Sequence, residues 1–408
     1  MLSSLIIGIW LLRHIVGDFM LELEQAVEIL KKNIPEICEV EEKKLLDCVG
    51  KICAENYFAK FDNPPFNRSP LDGFTFNSAD SFGATEENPK KFKIVGEECA
   101  GDFFSGEIKN FECLRIMTGA AIPKNCDCVI RQEDVKIDGE NIFMPYALKK
   151  FENFCFAGED IKKNNLLVEK NTKIYSTEIA ILASQGISKI KIFRAPIVAV
   201  ASTGDELINP DEKLSAGKIY NSNLFLIAAR LIELGFEPKI LGNLPDDAKI
   251  AAQKISAEKF DFLITTGGVS VGKKDIMHEV VKILGEKLFW RINIKPGAPV
   301  IGWKTDNFLG IALSGNPFAA FTTFELICRP ILQNISLTRT TGILQNNFPK
   351  KSFCRRFIRG KFENKKIFLP ENHASGSLFS ATNCNCLVEI PEGSDELKIG
   401  DEVEVILL

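Results

Sequence analysis

The spacing of apolar residues changes along the chain and predicts different structures in successive parts. Apolar side chains recur at every third or fourth position from residue 23 to 30, and residues 20–60 are therefore expected to be helical. From about residue 75 to 155, short alternating runs lie between Gly, Asp and Asn, which predicts a small β-rich module. Three prolines and a glycine within residues 62–74 predict the boundary between these parts.

From Pro196 onward, fully apolar strands alternate with amphipathic helices. This alternation predicts a central parallel sheet with helices on both faces, and such sheets bind ligands at the carboxyl ends of their strands. Residues 340–408 return to short strands and predict a small β-barrel. The expected fold class is therefore a multidomain protein with an α/β part and separate β parts.

These patterns divide the chain into an N-terminal extension at 1–19, a helical and connector domain at 20–61 and 156–195, an inserted β-rich domain at 62–155, an α/β domain at 196–338 and a C-terminal β-barrel at 339–408. The apolar run in the extension is about eleven residues long, short of the ~20 that span a bilayer. It also lacks the basic start of a signal peptide. Met20 opens the first amphipathic helix, so we expect the natural chain to start there, with Met1 as the alternative.

Composition narrows the class of protein. The chain has 50 Lys and Arg residues against 54 Asp and Glu residues, and the two signs are interspersed. Because no basic stripe is present, nucleic-acid binding is disfavoured, and no apolar stretch predicts a membrane span. The 12 cysteines show no regular disulfide framework, which favours reduced thiols and a cytoplasmic protein.

Polar, glycine-rich clusters follow the predicted strands of the α/β domain. They occupy residues 202–206, 265–275, 295–297 and 314–317. Four such loops at one sheet edge would present hydroxyl groups and backbone N–H groups to an anion. Glu206 and Asp275 would repel a phosphate there, unless a divalent cation such as Mg²⁺ bridges them.

Each of these features also has a purely structural explanation. Glycine-rich loops often serve only to turn the chain tightly. Asp205 and Asp275 stand at positions where helix-capping acids are common. Lys273 and Lys274 either add positive charge to the loop or are simply solvated.

Three further polar loops lie outside the α/β domain: SPLDGF at 69–74, RIMTGAAIP at 115–123 and GED at 158–160. By themselves these loops are tight turns. Together with GEDIKKNNLLVEKNTKI, STGDEL, GKIYNSN, TTGGVSVGKKD, IKPG and SGNP, they resemble the molybdopterin molybdenumtransferase family, of the MoeA and gephyrin E-domain type. The motifs follow the family's order, and the resemblance covers residues 20–408.

The resemblance implies a central domain of the molybdopterin-binding, MogA/MoaB-like type. It also implies an enzyme that inserts molybdate into adenylylated molybdopterin, requires Mg²⁺ and releases AMP. Proteins of this family are elongated homodimers, so Asp72 and Thr118 of one subunit would complete the site of the other. Contact with the adenylyltransferase that makes the substrate is a further expectation.

The site residues follow from the same resemblance. Catalytic roles would fall to Asp72, Thr118, Asp160, Glu206 and Asp275, with Glu206 and Asp275 as the Mg²⁺ ligands. The substrate would be bound by Thr203, Gly204, Asp205, Thr266, Gly267, Gly268, Ser270, Gly272, Lys295, Pro296, Gly297, Ser314, Gly315, Asn316 and Pro317. Molybdate would need its own hydrogen-bond donors. The candidates are Lys295, the SGNP loop at 314–317 and the ASGS loop at 374–377.

The chain also departs from the family pattern. Ser314 stands in place of a proline, Ala298 of a lysine, Cys155 of an arginine and Leu71 of a methionine, and Phe318, Ala319 and Ala320 occupy a stretch where a serine is usual. Loss of two cationic groups weakens an oxyanion site, because such ligands depend on charge-assisted hydrogen bonds. A protein that binds or delivers molybdopterin without turnover is therefore one alternative, and a scaffold protein is another. Tungstate is likewise an alternative to molybdate.

Overall fold

The computed structural model describes residues 20–270, 272 and 275–408. They form two compact units, a larger one made of residues 20–37 and Pro196–Leu408 and a smaller one made of Cys38–Ala195. The expected N-terminal extension, Val271, Lys273 and Lys274 lie outside the described residues. Within the described ranges, no helix has both the length and the apolar character that a bilayer crossing requires.

The first helix, α1 (Leu23–Lys31), follows the predicted apolar stripe. Leu23, Ala26 and Leu30 are buried in the core of the larger unit. A capping box fixes the start of the helix, because the side chain of Gln25 accepts a hydrogen bond from Glu22 N at 3.1 Å.

The expectation that residues 20–60 are helical is wrong beyond Lys31, apart from one 3-10 turn at Leu45–Cys48. Val40–Lys44 is a strand that pairs antiparallel with Lys189–Phe193. Pro35 has no backbone N–H and disfavours helical conformation in the residue before it. The partner strand is distant in the sequence, so local periodicity gave no sign of the pairing.

The smaller unit is rich in short strands. With Val40–Lys44 as β1, they are β2 (Tyr57–Phe58), β3 (Gly73–Phe76), β4 (Lys90–Glu98), β5 (Glu112–Ile116), β6 (Cys128–Arg131), β7 (Lys136–Asp138), β8 (Asn141–Met144), β9 (Leu166–Val168) and β10 (Lys189–Phe193), and the helix α2 (Ser176–Ser184) precedes β10. Six of them form one sheet in the order β6-β3-β5-β4-β8-β7, with Phe74, Phe76 and Phe92 in its core. Asp72 directly precedes β3, and Thr118 follows β5.

The α/β part of the larger unit alternates strands and helices. Its strands are β11 (Val198–Thr203), β12 (Leu207–Ile208), β13 (Ile219–Tyr220), β14 (Pro238–Leu244), β15 (Phe262–Thr266), β16 (Glu286–Trp290), β17 (Ile294–Lys295), β18 (Ile301–Lys304) and β19 (Leu309–Leu313). Its helices are α3 (Ser222–Glu233), α4 (Ala248–Ser256), α5 (Met277–Leu284), α6 (Pro317–Thr323) and α7 (Arg329–Leu332), with a π-helical turn at Phe324–Cys328.

The main sheet has the strand order β14-β11-β15-β19-β18-β16. The first four strands are parallel, and β18 pairs antiparallel with both of its neighbours. β11, β15 and β19 are buried along their whole length, because helices cover both faces of the parallel part. Their carboxyl ends therefore lie at one edge, as the alternating pattern predicted.

One strand of the α/β part, β17, does not belong to the main sheet. Residues 295–297 were expected to follow a strand of the α/β sheet, and this expectation is wrong. β16 ends at Trp290, and the next residue, Arg291, has a positive φ of 68° that redirects the chain. β17 instead pairs in parallel with the second strand of the C-terminal barrel.

The C-terminal β strands close into a barrel. They are β20 (Arg339–Leu344), β21 (Arg355–Glu363), β22 (Lys366–Phe368), β23 (Cys386–Ile390) and β24 (Glu402–Leu407). Their order is β21-β22-β20-β24-β23, and the pairing of β23 with β21 completes the ring. β17 adds to β21, so the barrel is joined by backbone pairing to the segment that follows the α/β sheet.

A buried ion cluster connects helices and barrel in the larger unit. The Glu325 side chain in the π-helical turn is fully buried and accepts hydrogen bonds from Arg230 Nε at 2.6 Å and Arg329 Nη1 at 3.1 Å. Arg329 also donates to Leu407 O of β24 at 3.1 Å. A buried carboxylate is tolerated only with such partners, and its loss would leave two arginines without their shared anion.

We expect Glu325→Gln to lower the free energy of unfolding by about 3–5 kcal/mol, because the variant leaves buried positive charge uncompensated. Chemical denaturation monitored by circular dichroism measures the change. Glu233→Gln is the matched control, since Glu233 pairs with the same Arg230 at 2.7 Å but is largely exposed. That control should lose less than about 1 kcal/mol, and equal losses in the two variants would contradict the prediction.

Candidate functional site

One large cavity in the larger unit, with a volume of about 1670 Å³, lies at the carboxyl ends of the parallel strands. Loops that follow β11, β15 and β19 line it together with segments of the barrel. The predicted residues among its lining are Thr203, Gly204, Glu206, Thr266, Gly267, Gly268, Ser270, Asp275, Lys295, Pro296, Gly297, Ser314, Gly315, Asn316 and Pro317. The structure thus brings together the predicted residues of this unit, apart from Asp205 and Gly272.

Asp205 and Gly272 do not line the cavity, but they form hydrogen bonds that hold its loops in place. Asp205 Oδ1 accepts a hydrogen bond from Asp246 N at 3.1 Å, and Asp205 N donates to Asp246 Oδ2 at 3.4 Å. This reciprocal pair joins the loops after β11 and β14. Gly272 N donates to a carboxylate oxygen of Asp275, which fixes the end of the loop before α5.

Hydroxyl and amide groups connect the strand ends next to the cavity. Thr266 Oγ1 donates to Ser202 Oγ at 3.2 Å, and Ser202 Oγ donates in turn to Asn221 Oδ1 at 2.9 Å. All three side chains are buried. Gly267 has a φ of 91°, and a Cβ there would lie 2.8 Å from Thr203 O, so this position requires glycine. Together these contacts fix the loop after β15.

Glu206 and Asp275 bring two carboxylates to the cavity. The Glu206 side chain folds over Gly204, where a Cβ would lie 2.7 Å from both carboxylate oxygens. Asp275 uses Oδ2 to accept the hydrogen bond from Gly272 N, and its Oδ1 accepts none from the residues that the structure describes. Among the described residues, no three His, Cys, Asp or Glu side chains converge on a metal position. A Mg²⁺ ion here would complete its coordination with substrate oxygens and water, as this cation commonly does.

The IKPG segment reaches the cavity from β17. Gly297 has a φ of 96°, and a Cβ there would lie 2.4 Å from Thr323 Cγ2 of α6, so glycine permits this close packing. Lys295 pairs with Arg356 of β21, which places two cations at neighbouring positions on adjacent strands. Like charges in this arrangement repel each other, and an anionic ligand in the cavity would relieve the repulsion.

The barrel contributes basic and aromatic residues to the cavity that the motifs did not indicate, namely Lys350, Lys351, Phe353, Arg356 and His373. The basic run KKSFCRRFIR at 350–359 could have indicated these residues from the sequence, because it contains four of the five. Lys351 Nζ pairs with Asp395 Oδ1 at 2.7 Å. Lys350 and Arg356 have no carboxylate partner in the part of the chain that the structure describes.

Arg359 is buried next to the ASGS loop. It donates hydrogen bonds to Ala374 O at 2.8 Å and to Ser377 O, and its guanidinium lies 3.5 Å from the centre of the Phe318 ring. Phe318 N donates to Ser375 O at 3.0 Å, which ties the same loop to α6. Arg359 therefore fixes one of the candidate molybdate-binding segments.

Other cavity residues were not assigned a role from the sequence. Asn221 and Asn223 belong to the GKIYNSN motif, and Asp246 follows the end of β14. Asn223 Nδ2 donates to Gly315 O at 2.7 Å and so connects the start of α3 with the SGNP loop. The position of Asp246 after a parallel strand was the signal that could have identified it.

Asp72 and Thr118 meet in the smaller unit. Asp72 Oδ1 accepts hydrogen bonds from Thr118 N and Thr118 Oγ1, both at 2.7 Å. These bonds stabilise the carboxylate and hold the pKa of Asp72 below its usual value. Asp160 has a different partner, since its Oδ2 accepts from Asn63 Nδ2 at 3.2 Å. The structure therefore joins two of the three predicted residues of this unit.

Known families match three consecutive parts of the chain. Residues 21–186 match the MoeA N-terminal region (domain I and II), residues 199–334 a probable molybdopterin binding domain, and residues 341–408 the MoeA C-terminal region (domain IV). The fold and these matches define a multidomain protein of the MoeA type, with the cavity in the part that matches the second and third families.

Similar proteins point to the same family. The chain is 35% identical to a molybdopterin molybdenumtransferase of Bacillus subtilis (strain 168), over 91% of this chain and 90% of that protein. It is 35% identical to the protein of that name from Staphylococcus aureus (strain Mu50), over 95% and 94% of the two chains. A crystal structure of the molybdopterin biosynthesis MoeA protein of Pyrococcus horikoshii superposes with a TM-score of 0.82 at 31% identity, over 95% of this chain and 99% of that one. The chain belongs to the molybdopterin molybdenumtransferase family, which confirms the resemblance and the expected fold class.

The barrel wall of the cavity also contains a histidine that stays neutral. Burial, together with the positive charges of Arg359, Lys350 and Arg356, lowers the pKa of His373 to about 4. Its ring lies edge-on to Phe348, with the centroids 5.2 Å apart. Protonation of this imidazole in the folded protein is therefore unfavourable at neutral pH.

Because the pKa of His373 is lower in the folded chain than its usual value of 6.5, the unfolded chain takes up this proton first as the pH falls. Between pH 6.5 and 4, we expect the protein to lose about 1 kcal/mol of stability per pH unit relative to His373→Gln. Denaturation of both proteins across this range isolates the effect, because their carboxylates titrate alike. A constant stability difference from pH 7 to 4 would contradict the prediction.

Proposed function

We propose that the protein inserts molybdate into adenylylated molybdopterin and releases AMP, as a step of molybdenum cofactor biosynthesis. The names of its relatives support this reaction. The observation that carries it is one cavity that holds the carboxylates of Glu206 and Asp275 together with the cations Lys295 and Arg356. This combination suits a substrate with a pyrophosphate group and a dianionic co-substrate.

Mg²⁺ is part of the proposal, with Glu206 and Asp275 as its ligands. When bound, the ion would neutralise charge on the phosphate oxygen that leaves with AMP. Contacts within the chain position both carboxylates, since Asp275 accepts a hydrogen bond from the N–H of Gly272 and the Glu206 side chain folds over Gly204. The backbone N–H groups of the loop after β15 would bind the phosphate oxygens beside the metal.

Molybdate is assigned to the part of the cavity between the IKPG segment and the barrel. Lys295 and the SGNP and ASGS loops are its proposed donors, and Arg359 holds the ASGS loop in place. Ala298 lines this region where the family has a lysine. Lys350 and Arg356 supply further positive charge to the same cavity.

We further propose a homodimer in which Asp72 and Thr118 of one subunit complete the cavity of the other. The hydrogen bonds from Thr118 lower the pKa of Asp72, and its Oδ2 accepts no hydrogen bond from the described residues. We also propose that Asp160, which lies in the same unit as Asp72 and Thr118, is a third catalytic residue. A cytoplasmic location and contact with the adenylyltransferase that supplies the substrate complete the proposal.

Glu206→Ala and Asp275→Ala should each lower the rate of AMP release by about 100-fold or more, because each removes a proposed Mg²⁺ ligand beside the bond that breaks. The assay uses purified protein, adenylylated molybdopterin and molybdate over a range of Mg²⁺ concentrations. Glu212→Gln is the matched control, since this exposed carboxylate lies on the same segment outside the cavity.

The outcomes of this assay separate the candidate functions. Full Mg²⁺-dependent activity in both cavity variants would contradict the metal assignment. No AMP release from folded wild-type protein that still binds molybdopterin would contradict the enzyme and favour a binding or delivery protein.

Asp72→Ala and Glu206→Ala subunits should complement each other if the site is shared between subunits. Each homodimer would be inactive, whereas random mixing would make half of the dimers mixed, each with one intact site of two. We therefore expect about a quarter of the wild-type AMP release after subunits are dissociated and reassociated. A mixture no more active than the two separate variants would show that Asp72 does not act across subunits.

A further inference from the structure

Phe353 is an exposed phenylalanine on the wall of the cavity. It is 84% exposed, although the barrel around it has a packed core. Single exposed apolar residues are common and carry no meaning by themselves. Phe353 differs from the equally exposed Phe379 of the same barrel, because only Phe353 lines the cavity.

The backbone holds Phe353 outward. The preceding Ser352 is 1% exposed, and its N–H donates to Ser394 O at 2.9 Å. Ser352 Oγ donates to Cys354 O at 2.8 Å, so the residues on both sides of Phe353 are bound together. Gly393 N donates to Ser352 O at 2.8 Å. The ring is thus presented by an anchored turn and does not pack against the barrel.

Two cations that lie close to Phe353 in the sequence line the same cavity. Arg356 is held by Ser352 Oγ, with its Nε 3.1 Å away, and it lies over the Phe348 ring at 5.5 Å. Lys350 is exposed, and neither cation has a carboxylate partner among the described residues. Glu396 is the one acidic residue of the barrel that lines the cavity within the described ranges. An exposed aromatic ring and two available cations in one cavity form the combination that binds a planar base together with its phosphate.

We propose that Phe353, Lys350 and Arg356 form a subsite that stacks a planar heteroaromatic ring and binds the phosphate attached to it. Under the proposed function, on which this identification rests, adenine and the pterin are the two rings of this chemistry, both carried by the same substrate. With the phosphates bound beside Glu206 and Asp275 as proposed, one of the two rings would extend from the sheet edge toward the barrel wall, since both line the same cavity.

Calorimetry of the full-length protein with AMP, adenosine and 6-hydroxymethylpterin phosphate tests the subsite. Phe353→Ala should weaken binding of the stacked ring by about fivefold or more, as loss of base stacking on an aromatic side chain does. Phe353→Trp should retain it, and Phe379→Ala is the matched control, since it removes an equally exposed ring outside the cavity. A loss with AMP and adenosine identifies adenine, and a loss with the pterin probe identifies the pterin.

Lys350→Gln separates the phosphate contact from stacking. If adenine is the stacked ring, this variant should weaken AMP and leave adenosine unchanged, because only AMP carries the phosphate. In turnover, Phe353→Ala should raise the KM for adenylylated molybdopterin with little change in kcat, since the ring binds substrate away from the bond that breaks. Unchanged affinity for every probe in Phe353→Ala, or a wild-type protein that binds none of them, would overturn the proposal.

The proposed function can fail independently of the subsite. If wild-type protein releases no AMP but loses probe binding on Phe353→Ala, the subsite stands and the reaction is refuted. If wild-type protein turns over normally and Phe353→Ala changes neither probe affinity nor KM, the reaction stands and the subsite is refuted.

Discussion

The parallel pairing of β17 with β21 is the contact on which the cavity depends. It joins Ile294 to Arg355 and Lys295 to Arg356, and so links the segment after the α/β sheet to the barrel by backbone hydrogen bonds. Its register also sets two cations side by side on the cavity wall. Together with the contacts of Arg329 with β24 and of Phe318 with the ASGS loop, this pairing sets the barrel opposite the carboxyl ends of the parallel strands.

Charge is divided between the two walls of the cavity. The sheet edge carries Glu206 and Asp275, whereas the barrel and the IKPG segment carry Lys295, Lys350 and Arg356. A substrate with both a metal-bound phosphate group and further anionic groups suits this division. Buried contacts such as that of Arg359 with the ASGS loop keep the basic wall rigid, so binding energy is not lost in ordering it.

Much of the α/β part could be predicted from the sequence because its strands are buried on both faces and its helices carry regular apolar stripes. Glu206 and Asp275 follow such strands, and they do line one cavity. The strand at Val40–Lys44 was missed because four of its five residues are charged and show no apolar alternation, and its pairing partner lies far along the chain. β17 was misplaced for a similar reason, since an apolar run does not show which sheet a strand joins.

By itself, the sequence determined the strand ends, their glycine-rich loops and the family motifs, because these depend on local periodicity and on residues with special backbone freedom. Only the tertiary structure decided that Asp72 binds Thr118 and that Arg356 stands beside Lys295. It also decided that Phe353 faces the cavity while Phe379 does not. Such contacts follow from strand register and barrel closure, which are set by pairing between distant segments and leave no periodic trace in either segment alone.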